Sequence, residues 1–450
     1  MADRMTILAP EGMLGYGIPA RSMEEGLKRQ PDVLAVDAGS TDPGPYYLGA
    51  GVPFTNRRAF TRDLATILEA ASARRIPVLV GSAGGGGGRP HLEYTVEVYR
   101  EICRERGYRF RTAIIGAEVD KAWLKRQVAR GRVAPLDVGV ELTEAEVDRS
   151  ARIVAQMGVE PFLRALELGA EVVIAGRACD AAVMAAPAMR VGFDVGLAYH
   201  MGKILECGGA AAYPRHGSDS LLGVIEREAF VVEPPNPDKI CSVASVAAHS
   251  LYERSDPYRL ALPGGAVDLR HSRFEQCSPR AVRVSGTRWE PAAAYTLKLE
   301  GAARVGFRTL ALAGIRDPVL IAELDAYLDN VRTRVADTYP PDGYRLLFHV
   351  YGRDGVMGAL EPRRDVRSHE LGLVIEIVAD DPDASAAILA LARSVALHVT
   401  YPGRKAIAGN LAFPFSPSDL AAGDAYEFNV HHLVTVDDPL ELFPVEMVEV

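Results

Sequence analysis

The segment from Val33 to Gly51, VLAVDAGSTDPGPYYLGAG, constrains the fold more than any other stretch. Val33 to Val36 form an aliphatic run suited to a strand buried on both faces, the habit of a parallel sheet. Asp37, Ser40, Thr41 and Asp42 come directly after it. Open α/β sheets present ligands beyond the carboxyl ends of their strands, so these four residues are site candidates. A second reading is open: Asp-Pro-Gly-Pro at 42–45 is a rigid turn in which Ser40 and Asp42 bond their own backbone.

The alternation of strand and helix recurs along the chain. Thr6–Leu8 is a short strand, and the glycines at 12, 15 and 17 after it let backbone approach a ligand or another loop. Met23 and Leu27 begin a helical period, and Phe60–Ala71 carries the stripe 60, 64, 67, 68 and 71 of an amphipathic helix. Pro77–Val80 enters GSAGGGGGRP, and His91–Arg106 reads as a helix. A glycine loop at a helix start offers free N–H groups to a phosphate or carboxylate, here through Gly84, Gly85 and Gly86 with Arg89 adding charge. The spacing fits neither a dinucleotide fingerprint nor a P-loop, and a mobile lid or plain flexible loop is the other reading. His91 and Glu93 stand at this helix start, as catalytic groups or as caps.

Arg111–Ile115 leads to Glu118 and Asp120, and Val138–Leu142 reads as a strand before the N-cap Thr143, with Glu144 and Glu146 as capping or solvated groups. A helix at Phe162–Leu168 precedes the buried strand Ala170–Ala175, which ends in Gly-Arg177-Ala-Cys-Asp180. Arg177 with Asp180 is a carboxylate clamp or an internal ion pair. Next, HMGKILECGG puts His200, Lys203 and Glu206 or Cys207 three or four residues apart on one helical face, so that a base and a second polar group can point together into a cleft. Cys207 is either a nucleophile or a small buried apolar residue.

At 450 residues the chain is long enough for two or three domains. A formal charge of −9, with no basic stripe interleaved with aromatics, argues against nucleic-acid binding. The cysteines at 103, 179, 207, 241 and 277 share no CxxC spacing, which disfavours structural zinc and a disulfide framework. The first residues, MADRMTILAPEGM, contain no sustained apolar region, and no uncharged apolar run approaches membrane-spanning length. A cytoplasmic protein is expected. Residues 1–338 read as an α/β ligand-binding and catalytic domain, Rossmann-like, with a largely parallel sheet, flanking helices and a subdivision near 215–240. Residues 345–450 read as a smaller α+β domain: strand (Arg345–Val350), strand (Leu371–Val378), helix (Asp383–Leu397) and strand (Glu427–Val436), the order of a ferredoxin-like sandwich. The loop Gly409–Asp419 between that helix and the last strand contributes Asn410 as a site candidate.

VDAGSTDPGPYYLG, GSAGGGG, VVIAGRACDAAV, HMGKILECGG, RVSGTRWEPAAAYTLKLEGAARVGF and GNLAFPFSPSD, in this order, resemble the AtuA (acyclic terpene utilisation) family over most of the chain. The resemblance implies catabolism of branched or acyclic terpenoid acids and their CoA thioesters. It brings no catalytic set with it, so roles come from the residues. Asp37, Asp42 or Glu93 would act as general base, Arg177 and the Gly84–Gly88 amides would hold a carboxylate, phosphate or enolate, and His200 or Glu206 would act as general acid. Asp180, Ser40, Thr41 and His91 complete the binding set. The expected chemistry is that of a lyase or hydratase acting on a branched carboxylic acid or its acyl-CoA. The alternatives are a hydrolase or acyltransferase using Cys207, Cys179 or Ser40, and a non-catalytic binding subunit of a larger acyl-CoA-processing complex. No cofactor is demanded. The options are a hard cation such as Mg²⁺ on Asp37, Asp42 and Glu118, and CoA as part of the substrate. A homo-oligomer, or assembly with a partner subunit, is expected.

Overall fold

The computed structural model describes residues 3–136, 139–215, 217–252, 255–363, 365, 368–405 and 407–450. Its strands, in chain order, are β1 (Arg4–Ala9), β2 (Val33–Asp37), β3 (Val78–Gly81), β4 (Arg111–Ile115), β5 (Val133–Pro135), β6 (Ser150–Ala155), β7 (Val172–Ala175), β8 (Leu221–Glu226) and β9 (Ala229–Glu233). Next come β10 (Arg259–Leu262), β11 (Gly265–Asp268), β12 (Arg273–Gln276), β13 (Val282–Ser285), β14 (Arg288–Pro291) and β15 (Tyr295–Ile315). The last are β16 (Tyr344–Tyr351), β17 (Leu371–Ala379), β18 (Asp419–Val436) and β19 (Val445–Glu449). The chain divides into two compact units, Met1–Ala303 with Phe428–Val450, and Arg304–Glu427. The expected boundary between residues 338 and 345 lies within the second of these units.

The first unit is built on a ten-stranded mixed sheet in the order β12-β13-β9-β8-β1-β2-β3-β7-β4-β19. Only the centre is parallel, from β1 through β2, β3 and β7 to β4. The largely parallel sheet expected from the sequence is therefore corrected to a mixed one. The cause is local: β8 and β9 are joined by a two-residue connection, which permits only antiparallel pairing, and β8 then lies antiparallel on β1. β19 closes the other side antiparallel to β4.

Side chains of a strand alternate between faces, and the central strands use both. Ile7, Val33, Ala35, Leu79 and Val173 enter one core, whereas Leu8, Leu34, Val36, Val78, Val80, Val172 and Ile174 enter the other. The second face is covered by helices Arg57–Arg74 and Arg89–Arg106, the former through the expected stripe Phe60, Leu64, Ile67, Leu68 and Ala71. The first is covered by Glu160–Glu167, Asp180–Arg190 and Val195–Leu205. Ala181–Ala188 and Gly196–Leu205 are buried throughout. Small side chains permit this: the Ala181 carbonyl approaches to where a Cβ on Gly202 would lie 2.4 Å away.

In the expected strand at Val138–Leu142, Val138 lies outside the described residues, and Gly139–Leu142 has no regular structure. Leu299–Ala303 of β15 pair antiparallel with β6, and His432–Val434 of β18 pair with β5.

In the second unit, Phe307–Ile315 of β15 pair antiparallel with β17, and β17 with β16. Helices Pro318–Ala322, Leu324–Ala336 and Pro382–His398 pack on this layer through Leu320, Tyr327, Val331, Ile388 and Ala392. The first two of these helices are separated at Glu323. No helix among the described residues is long and apolar enough to cross a membrane.

Candidate active site

β2, β3 and β7 are adjacent and parallel, so their carboxyl ends converge. Asp37 ends β2 opposite Gly81 of β3, and Arg177 lies two residues beyond β7. The buried Arg177 guanidinium organises the ends. Its Nε donates to Glu300 Oε2 at 2.7 Å, and its Nη1 lies 3.1 Å from Ser82 Oγ, 3.2 Å from the Ala178 carbonyl and 3.4 Å from Asp180 Oδ1. The internal ion pair thus exists, with Glu300 as the closer partner. Arg177 Nη2 makes no hydrogen bond to a described residue. Ser82 holds a left-handed backbone, φ 46°, which non-glycine residues adopt at a cost and which recurs at functional sites.

The carboxyls here fall into two kinds. Burial would raise Glu300, but Arg177 and then Lys298, 2.8 Å from Oε1, hold it down at about 2, so it stays ionised. Asp37 is driven the other way. Burial pushes its proton affinity well above the usual carboxylate range, the neighbouring Asp180 adds to this, and Arg177 opposes it. Its Oδ2 accepts the Gly39 N–H at 3.1 Å, whereas Oδ1 has no hydrogen-bond partner among the described residues. Asp180 is also raised by burial, against Arg177 and Lys203. The cluster thus sets one carboxylate held ionised, Glu300, beside two carboxyls pushed towards the protonated form, Asp37 and Asp180.

The other candidates from the sequence are scattered more widely. Thr41 joins the cluster, its hydroxyl donating to Glu300 Oε1 at 3.0 Å. Ser40 Oγ accepts the Asp42 N–H at 3.2 Å, so these two form the local turn, with Asp42 exposed. Gly84, Gly85 and Gly86 are not a solvent-exposed lid: residues 81–88 are all buried. The Gly85 N–H is bonded to the Ser82 carbonyl and the Gly87 N–H to that of Ala83. A Cβ on Gly87 would lie 2.2 Å from Arg177 N, so the missing side chains are what let this turn pack behind the arginine. His91 is buried beneath the glycines, with Nε2 3.0 Å from the Tyr47 carbonyl, and burial lowers its proton affinity.

Arg89 and Glu93 instead line an open groove of about 820 Å³ along their helix. Glu118 Oε2 accepts the Arg89 backbone N–H at 2.7 Å, which makes it a cap for that helix. Among the described residues no group of three or more His, Cys, Asp or Glu side chains is disposed to hold a metal ion.

His200, Lys203 and Glu206 are not presented together to a cleft. His200 is fully buried, with Nδ1 2.8 Å from Thr287 Oγ1, Nε2 2.9 Å from Ser250 Oγ, and Phe230 and Phe274 against the ring. The helix is buried all round, so its polar face divides between core partners. Lys203 and Glu206 pair at 2.5 Å, and Cys207 Sγ lies 2.9 Å from Tyr252 OH. Burial pushes the Cys179 thiol up to about 12, far from thiolate. Asn410 belongs to the second unit, where its Nδ2 donates to the Ala396 and Val399 carbonyls at a helix end.

Sequence reasoning missed Glu300, Lys298 and Ser82. The alternation Lys298-Leu299-Glu300, with Leu299 in the core, was the available signal for a polar strand face.

It also passed over Glu11, in the loop after β1. Glu11 is fully buried; its Oε2 accepts the Gly17 N–H at 2.9 Å, shared with Asp63 Oδ2, and Oε1 has no partner among the described residues. Burial, then Asp63, push its proton affinity up to about 8. Between the ordinary value of 4.5 and about 8 the folded protein keeps a proton that the unfolded chain releases, so stability falls as pH rises through that window. The linkage amounts to at most about 5 kcal/mol. Glu11→Gln is expected to flatten this dependence in urea denaturation at pH 5 and pH 8.5, and equal slopes in the two proteins would refute it.

The geometry defines an α/β protein with a buried arginine–carboxylate cluster at the carboxyl ends of parallel strands. Residues 55–219 and 220–413 match the model of the acyclic terpene utilisation family protein AtuA, and the chain belongs to that family. Membership implies a role in acyclic terpene utilisation. Neither a curated protein nor a solved structure matches it.

Proposed function

We propose that this chain is a lyase or hydratase of branched carboxylic acid catabolism, acting on a free acid or its CoA thioester. The observation that carries the reading is Asp37, a buried carboxyl of raised proton affinity with an unpartnered oxygen, beside Asp180 and Arg177. In the dehydrating direction, Asp37 in its ionised form, whose charge keeps the neighbouring Asp180 protonated, takes the proton from the carbon next to the carboxyl or thioester. The Arg177 guanidinium, fixed by Glu300 and with Nη2 available, stabilises the negative charge that develops on the carbonyl oxygen. Asp180, holding a proton, gives it to the departing hydroxyl. One C–H and one C–O bond break, a C=C bond forms, and water leaves. Retro-aldol cleavage uses the same three groups on other bonds: the base takes the proton of the 3-hydroxyl, the C2–C3 bond breaks to leave a carbonyl product and an enolate held by Arg177, and the acid protonates the enolate carbon. The protein works in the cytoplasm as a homo-oligomer.

A second reading rests on Cys207, whose thiol lies 2.9 Å from Tyr252 OH: a hydrolase or acyltransferase with a thiol nucleophile. Alkylation of Cys207 would abolish such an activity and leave the acid–base reaction intact.

The test is the melting temperature of the protein with branched 3-hydroxy acids and, in parallel, their CoA thioesters, together with NMR of α-proton exchange in D₂O. A ligand-induced rise together with exchange supports the proposal. A rise without exchange indicates a binding subunit, and no rise with either ligand class removes the proposed substrates.

A further inference from the structure

A cavity of about 700 Å³ lies where the turn from β11 to β12 meets the turn from β13 to β14. Gly286, φ 78°, makes the meeting possible, since a Cβ there would sit 2.4 Å from the His271 carbonyl oxygen. The walls carry Arg270, Arg273, Arg288 and His271, and no carboxylate lines them. Arg270 is engaged, by Asp268 at 2.8 Å and Glu290 at 2.9 Å. Arg273 and Arg288 form no ion pair with a described residue. The buried Thr287 hydroxyl is held between Ser272 Oγ at 2.9 Å and His200 Nδ1 at 2.8 Å, which fixes polar groups in the floor.

Two uncompensated guanidiniums sharing one concavity repel each other, and in a chain of formal charge −9 their clustering runs against the overall balance. An anion reverses that repulsion. A single carboxylate engages one guanidinium fork, whereas the two free forks of Arg273 and Arg288 in one cavity match the several oxygens of linked phosphates. We infer that the Arg270–Arg273–Arg288 cavity binds a diphosphate-bearing ligand. The inference does not depend on the acid–base reading, because none of these arginines belongs to the Asp37 cluster.

Calorimetric titration with inorganic pyrophosphate and with CoA separates a free diphosphate from a nucleotide-linked one. Binding of either supports the site, and the tighter of the two identifies the source. The Arg273→Ala/Arg288→Ala variant is expected to bind about a hundredfold more weakly, roughly tenfold per lost charge-assisted contact. Both side chains belong to exposed residues, so the variant should melt as the wild type does. Absence of binding by both probes, or undiminished binding in the folded variant, overturns the assignment. Asp37→Asn should retain pyrophosphate affinity, so failure of the proposed reaction and failure of this site are distinguishable.

Discussion

Asp37→Asn is expected to lower turnover of the proposed reaction by about 10³-fold while making the folded protein more stable at neutral pH. The two effects share a cause. The wild-type carboxyl is buried and holds its proton well above the range in which the unfolded chain releases it. Folding stability is therefore lost as pH rises from the ordinary aspartate range through the folded-state value. Asparagine keeps the shape and the Gly39 contact but has no charge to bury and no proton to exchange. Initial rates and urea denaturation at pH 7 give both quantities from one preparation. An active variant would remove Asp37 from the mechanism, and an inactive but destabilised one would mark it as structural.

Arg177→Met should cost about 3–5 kcal/mol, the range for removing one partner of a buried ion pair. Glu300 loses its nearest counter-charge, and Asp37 and Asp180 lose the cation that opposes their rise. In the wild type, Glu300 contributes stability above its ordinary value near 4.5, and this is lost as pH falls toward about 2. The variant's deficit should thus be large at pH 7 and small near pH 3. Arg177→Met combined with Glu300→Leu should recover part of the loss, because the orphaned Glu300 charge is removed while Asp180 and Lys298 still lack a partner. Denaturation of the two single variants and the double variant closes the cycle; a double variant as unstable as the sum of its parts would show that the pair is not coupled.

Much of the cluster could be read from local sequence because its members sit at strand ends. The runs before Asp37 and Arg177 announce buried strands, and residues just beyond a buried strand of an α/β sheet are confined to the ligand-bearing edge. Glu300 lies 123 residues from Arg177, and no local pattern encodes that pairing. His200 shows the converse failure. Its spacing from Lys203 and Glu206 does define one helical face, but burial on every side assigned that face to Ser250, Thr287 and Tyr252. The glycine run was ambiguous for a related reason: absent side chains permit either mobility or dense packing, and the arginine behind the turn selected packing.

The first unit draws its pieces from distant parts of the chain, since residues 304–427 intervene before Phe428–Val450 return to it. During synthesis, β4 is made early but gains its outer neighbour only when Val445–Glu449 emerge. Until then an open strand edge is available to other nascent chains. Loss of Val445–Glu449 would accordingly be felt as aggregation of the whole first unit, far out of proportion to the length removed.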